Sequence, residues 1–374
     1  MALRNAGIDA VLGSTSYYQD RQHFRNRKLR PEPGLVDFVA WVPRLDARLR
    51  QLLKLIEGLL NMTALVIRFA VRPPDIVHVQ FLPLLMRESR IEVWFLKFCR
   101  MRGSKLVYTV HDRLPHGTGD RHWDRFHDVY HLMDALVCHS QESKDRMAGE
   151  FGVDHERIRV IPHGPLFAPQ TAPDAGAARR RLGLPPDARL VLCQGIIKPY
   201  KGIPFLLEAW DDLPEDGPGA VLLIVGAGEK EELQAISDRV SAMRHPDTVH
   251  CDFRFVSEQI LSDYYDAADI LVYPYKEVTT SGALLTGLAR RKAMVTTKCP
   301  PFLELLRHDE SAWLVDYGET RQLTLALAEL IRDACKRERL ARGTEFVLEG
   351  GISWDVIAQK TQECYQALLK GRLT

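Results

Sequence analysis

"LVLCQGIIKPYKGIPFLLEAW", residues 190–210, decides the fold. Leu190 to Cys193 is an apolar run of strand length, and from Ile203 the apolar residues return at helical spacing. The turn between them, Gln194 to Gly202, sets Lys198 and Lys201 between Gly195 and Gly202. A strand running directly into a helix is half of a parallel βα unit. The start of such a helix presents unpaired N–H groups and partial positive charge, so two ammonium groups beside it would complete an anion site. Taken alone, a pair of turn lysines reads as solvated surface.

The same alternation continues in both directions. Strands are expected at "DAVLGS", "DIVHVQF", "KLVYTVHD", "DALVCHS" and "RIRVIPHG" on one side, and at "AVLLIVGAG", "VHCDFRF", "DILVYPY", "AMVTT" and "AWLVD" on the other. Repeated βα units make parallel sheets, and 374 residues exceed what one core holds. The expectation is α/β, with two Rossmann-like parallel-sheet domains facing across a cleft. "PLFAPQTAPDAGAARRRLGLPPDA" is rich in Pro, Ala and Gly, lacks apolar period and reads as the linker. The expected boundaries are 1–167, a linker at 168–187, 188–351, and a final helix at 352–374 on which Ile357, Thr361, Cys364 and Leu368 recur at helical spacing.

Lys and Arg total 50 against 49 Asp and Glu, which argues against a bulk polyanion or nucleic-acid binder and leaves small-molecule chemistry open. Residues 1–100 are uneven, with 16 basic and 9 acidic side chains, and suggest a face suited to an anionic surface or substrate. The 7 cysteines form no C-x-x-C pair and fit a reducing cytosol. "MALRNAGIDAVLG" has no long apolar segment of a secretory leader. "LLKLIEGLLNMTALVIRFAV" contains Lys54, Glu57 and Arg68, too many charges for a membrane span, and reads as an amphipathic or core helix in preference to an interfacial one. The expected location is the cytoplasm, with the basic first domain as the route to peripheral contact at the inner membrane face.

A second turn strengthens the first. Thr279, Thr280, Ser281 and Gly282 lie between "DILVYPY" and a helix beginning near Ala283. Small hydroxyl residues and a glycine at a helix start let a phosphate approach the backbone, although Thr and Ser are also ordinary caps. Two such turns in one domain suit a diphosphate. The series G-x-I-K-x-Y-K-G, L-L-x-A, D-A-A-D-I-L-V-Y-P-Y and T-S-G-A-L-L resembles the donor domain of glycosyltransferase family 4, retaining nucleotide-sugar enzymes of the GT-B fold. "LIVGAGE" at 223–229, "FVSEQILSDYYDAADI" at 255–270, "VIPHG" at 160–164 and "SW" at 353–354 extend the resemblance over about residues 75 to 366.

The resemblance implies a final helix that crosses back to the first domain, and Lys198 and Lys201 neutralising a donor diphosphate. It further implies that Gly195, Thr280 and the amides of Ser281, Gly282 and Ala283 line the donor site. His111, in "YTVHDRLPHGTGD", resembles the family histidine near the donor sugar, where it would position and polarise. Asp112, Arg113, His116 and His163 are acceptor-side candidates, and His139 reads as a local structural residue. The donor itself is the substrate, and no cofactor or metal is expected, since the His and acidic residues show no metal-ligand spacing. The implied reaction moves a hexose to a saccharide or lipid-linked saccharide in surface glycan synthesis.

Three departures stand against the family pattern. Val278 and Thr286 occupy the places of its two acidic residues, with Glu277 one position away as a substitute. Ile196 replaces a common arginine, whose charge Lys198 would take over. "MALRNAGIDAV" reads as the first helix running into the second strand, so the opening strand is missing or lies upstream. These keep open a second reading, a catalytically silent GT-B module that binds a nucleotide or a partner. A hexose epimerase on the same fold is a third.

Overall fold

The computed structural model describes residues 2–13, 35, 36, 39, 46–114, 119–166, 174–214 and 219–371. Two compact units emerge. One comprises Met1–His139, Ser143–Ile161 and Asp355–Thr374, the other Ser140–Glu142 and Pro162–Trp354.

The first unit is built on α1 (Ala47–Val71), β1 (Ile76–Val79), α2 (Ile91–Met101), β2 (Lys105–Val110), α3 (Trp123–Leu132), β3 (Ala135–Cys138), α4 (Gln141–Phe151) and β4 (Ile158–Val160). All pairings are parallel, in the order β1-β2-β3-β4. Leu106 to Val110 are all buried, as a central parallel strand covered on both faces requires. Leu106, Tyr108, Leu136 and Cys138 pack with Tyr130 and Phe151 of α3 and α4. The strand expected at "DAVLGS" is not formed over residues 9–13, where only Leu12 makes an isolated bridge. Among the described residues the sheet begins at Ile76.

The second unit runs α5 (Ala175–Leu182), β5 (Arg189–Gln194), α6 (Ile203–Asp211), β6 (Ala220–Val225), α7 (Lys230–Ser241), β7 (Val249–Asp252), α8 (Glu258–Ala267), β8 (Ile270–Tyr273), α9 (Gly282–Ala289), β9 (Ala293–Thr297), β10 (Trp313–Val315), α10 (Thr320–Arg332) and α11 (Ala334–Val347). Its six strands are parallel in the order β10-β9-β8-β5-β6-β7. The chain starts at β5, winds outward to β7, then returns to β8 on the other flank of β5. That reversal between β5 and β8 is a topological switch point, where open parallel sheets leave a crevice beyond the strand ends.

Residues 168–187 are not purely linker. Asp174 caps α5 by accepting from Ala177 N, and Gly183, left-handed at φ 66°, ends it. Arg179 is buried and donates to the carbonyls of Ala267, Pro186 and Ala188 and to Asp269. The helix escaped an apolar-period reading because its anchor is a guanidinium, not a hydrophobic stripe.

The final helix, α12 (Trp354–Leu369), returns to the first unit, as the resemblance implied. Cys364 and Leu368 pack with Val107, Ala135, Val137 and Ile161. Tyr365 meets His78 of β1, with 2.5 Å between the hydroxyl and Nδ1.

Candidate functional site

The turns after β5 and β8 converge at the switch point. Gly202 begins α6 at φ 67°, and a Cβ there would lie 1.9 Å from the Pro274 carbonyl oxygen, so only glycine permits this approach. Lys276 N donates to Tyr200 O at 2.8 Å and ties the turns together.

Lys201 is 9 % exposed. Its ammonium donates to the Tyr275 hydroxyl at 2.6 Å and sits 3.9 Å from that ring's centre and 5.4 Å from that of Tyr200. Burial lowers its pKa. Among the described residues its neighbours are thus aromatic faces and a phenol, with no carboxylate ion pair. Such partners only partly replace lost hydration, so an incoming anion would complete the site.

The Tyr275 hydroxyl also accepts from Ser281 Oγ at 3.3 Å. Ser281 caps α9, accepting from Leu284 N at 3.2 Å, and leaves the amides of the first turn without intrahelical partners. The Ala283 carbonyl takes bonds from Tyr273 (2.9 Å) and Tyr265 (3.1 Å), and Tyr265 reaches Gln194 of β5 at 2.9 Å. Buried tyrosines therefore fix the helix start, the strand end and the lysine as one assembly.

Other expected donor-site residues are placed differently. Lys198 is half-exposed and pairs with Glu229 at 3.4 Å, so its ammonium must leave that pair to meet a phosphate; a surface pair costs little to break. Gly195 lies against Lys201, whose Nζ would be 3.3 Å from a Cβ there. Thr280 is half-buried, and Glu277 is exposed beyond the strand end. Thr286 is 1 % exposed, with its hydroxyl committed to the Gly282 carbonyl at 2.7 Å. It is an inward residue of α9.

In the first unit a polar chain crosses the carboxyl ends of all four strands. His111 Nε2 lies 3.0 Å from Gln80 Oε1, and its Nδ1 3.3 Å from His139 Nε2. His139 Nδ1 is 3.0 Å from the Ile161 carbonyl, which fixes a proton on that nitrogen. Gln80 donates to Thr109 Oγ1 at 3.2 Å, and Thr109 Oγ1 stands 2.8 Å from Nε2 of His78. Phe81 stacks on His111 with centroids 4.6 Å apart. His139, expected to be a local structural residue, thus holds the ring of His111. Asp112 follows His111 directly. Arg113 is bonded to Glu150, and His116 lies outside the described residues. His163 belongs to the second unit, in a turn pinned by Trp354, whose Nε1 donates to Pro165 O at 2.9 Å. Burial lowers the His163 pKa. No group of three or more His, Cys, Asp or Glu among the described residues forms a metal-binding cluster.

The two units match two family models in turn, residues 2–164 that of Glycosyltransferase Family 4 and residues 188–333 that of Glycosyl transferases group 1. The fold is that of GT-B proteins, and each unit matches a glycosyltransferase family model.

Among curated relatives, D-inositol 3-phosphate glycosyltransferase of Xylanimonas cellulosilytica is 29 % identical over 251 residues, covering 64 % of this chain and 58 % of its own length. The Streptomyces bingchenggensis protein of that name is 27 % identical over 248 residues, covering 64 % and 54 %. The chain therefore spans less than two thirds of the length of these relatives. Anabaena Alr3699/HepE, solved with UDP and glucose, has the same fold at a TM-score of 0.76 and 16 % identity, covering 98 % of this chain and 94 % of that one. Sucrose-phosphate synthase of Thermosynechococcus elongatus superposes with a TM-score of 0.71 at 18 % identity, covering 99 % and 91 %.

In this GT-B protein the sequence reading missed the tyrosines at 200, 265, 273 and 275 as site residues. Tyr273 and Tyr275 alternate at the end of a strand that leads into the switch-point turn, and that placement was the available signal. Gln80 and His139 were equally findable as post-strand residues.

Proposed function

We propose that this protein is a retaining glycosyltransferase that moves a hexose from a nucleoside diphosphate sugar to a saccharide or lipid-linked saccharide acceptor in surface glycan synthesis. One observation carries the reading: a buried ammonium, Lys201, shares the Tyr275 hydroxyl with the residue that caps α9. Breaking the sugar–phosphate bond builds negative charge on the departing diphosphate. A cation fixed beside helix amides stabilises that charge most in the transition state. Lys198, released from Glu229, adds a second positive charge, and the scheme calls for no metal ion. His111, oriented by His139 and Gln80, polarises the transferred sugar. The glycosyltransferase relatives and the UDP-bound structures of the same fold support the donor class.

The test is a titration of the purified chain with UDP, GDP and their sugars, followed by donor turnover in wild type and Lys201→Ala. Turnover should fall by about a hundredfold or more, the scale of removing one such stabilising group. Undiminished turnover in the variant would take Lys201 out of the mechanism. A silent nucleotide-binding module is the second reading, favoured by the exposure of Glu277 and the inward hydroxyl of Thr286. It predicts nucleotide binding with neither hydrolysis nor transfer of the sugar.

A further inference from the structure

Helix α1 buries a mixed face, in which Met62 and Leu65 lie beside polar residues. Glu57 and Asn61 are fully buried, with Glu57 Oε2 accepting from Val39 N at 3.0 Å and Asn61 exchanging bonds with Val36 N (2.7 Å) and Val36 O (2.9 Å). Its outward face is apolar. Leu49, Leu52, Ile56, Leu60, Ile67 and Val71 recur every three, four or seven residues and are 46, 53, 41, 53, 63 and 82 % exposed. Side chains at that spacing form one stripe, here about 33 Å long at the rise of an α-helix. Scattered exposed leucines need no explanation, but a continuous stripe on one helix marks a surface built to be covered.

The charges indicate by what. Within α1 every exposed charged side chain is basic, namely Arg48, Arg50 and Arg68, and Arg72 follows at its carboxyl end. Its only acid, Glu57, is buried and paired with Lys54. Helix α2 packs beside α1 through Phe69 and Phe95, and its exposed residues are Trp94, Lys97, Arg100 and Met101. A second copy of this face would bring like charges together, whereas anionic headgroups would meet them favourably. The helix cannot cross a membrane, since no helix among the described residues is long and apolar enough to do so.

We propose that the outer face of α1 is a docking surface for an anionic lipid bilayer, with the helix lying in the plane of the interface. Leu49, Leu52, Ile56, Leu60, Ile67 and Val71 enter the acyl boundary, while the arginines remain at headgroup level. A lipid-linked acceptor would then reach the protein in two dimensions. The docking itself does not depend on the donor chemistry.

The experiment is co-sedimentation of the full chain with vesicles of phosphatidylcholine alone and of phosphatidylcholine with phosphatidylglycerol. Wild type should bind the mixed vesicles at least about tenfold more tightly, and raised salt should weaken that binding. Leu60→Glu with Ile67→Glu should lose the binding by about tenfold or more at an unchanged melting temperature. Val71→Glu, at the most exposed position, is the control should the pair fail to fold. No binding of wild type to anionic vesicles, or equal binding by folded glutamate variants, would overturn the proposal. So would a face whose glutamate variants split an oligomer without altering vesicle binding, which would make it a contact between copies. Nucleotide titration of the same variants should be unchanged, separating this failure from that of the donor reading.

Discussion

Lys201 carries the electrostatic argument because its ammonium is buried among tyrosines. Desolvation lowers its pKa, while a bound diphosphate favours the charged form. Affinity for a nucleoside diphosphate should therefore fall as pH rises through the Lys201 pKa, at lower pH than for an ordinary lysine, and donor binding should draw in a proton. Calorimetry in buffers of different ionisation enthalpy measures this uptake. Lys201→Met should abolish it, and retained uptake in that variant would assign the proton elsewhere. On the other unit, Ile161 O fixes the proton on His139 Nδ1. A neutral His139 must then accept from His111 Nδ1–H. With Gln80 Oε1 facing Nε2, both ring nitrogens of His111 are tied to neighbours that set its tautomer. His139→Leu should therefore change the pH profile of kcat and lower kcat by about tenfold or more with the donor KM little altered. An unchanged profile would reduce His139 to a packing residue. These two sites were unequally legible. The lysine announced itself between two glycines, but the hydroxyl its ammonium meets lies 74 residues away in sequence at Tyr275, beyond the reach of a turn motif.

At the scale of elements, nearly every strand was readable, because a strand buried on both faces must be a short continuous apolar run. The misses have physical causes. "DAVLGS" has the composition of a strand, but residues 9–13 pair only through Leu12. Helix α5 is anchored by Arg179 instead of an apolar stripe. Helix α1 was read as amphipathic or core, and it buries Met62 and Leu65 beside Glu57 and Asn61 while leaving a second apolar stripe exposed. The turn that opens α6 is more demanding than its sequence suggests. Gly202→Ala adds a left-handed alanine and a Cβ 1.9 Å from the Pro274 carbonyl oxygen. Both effects act against the fold, so the second unit should lose more than about 1 kcal/mol in urea unfolding. A variant as stable as wild type would show that the turn relaxes freely. In the first unit His78 is half-buried between Tyr365 and Thr109, and desolvation lowers its pKa from 6.5 to about 4. An imidazole with a depressed folded pKa contributes stability that is fully present above 6.5 and is lost as pH falls toward 4. The shift is worth on the order of 3 kcal/mol. Thermal melts between pH 7 and 4 should show this slope, and His78→Gln should remove it.

At the scale of the molecule, the chain folds its last helix into the unit with which it begins. The covering of Val107, Ala135, Val137 and Ile161 therefore comes from residues beyond the whole second unit. The first sheet can complete its core only when α12 has been made and has returned. A chain ending at Ser353 should consequently keep one cooperative transition and lose the other. Its second unit retains β5, β8, Lys201, Tyr275 and Ser281, all internal to it, and should still bind a nucleoside diphosphate with near wild-type affinity. Its first unit, with one face of β2 and β3 uncovered, should melt well below the wild-type temperature or stay unfolded, and sugar transfer should disappear. Hydrogen exchange resolved along the chain reads both outcomes in one sample. Protection of β2 and β3 that survives the truncation would mean the final helix decorates the first unit without completing it. Loss of nucleotide binding would mean the diphosphate site needs more than the second unit supplies.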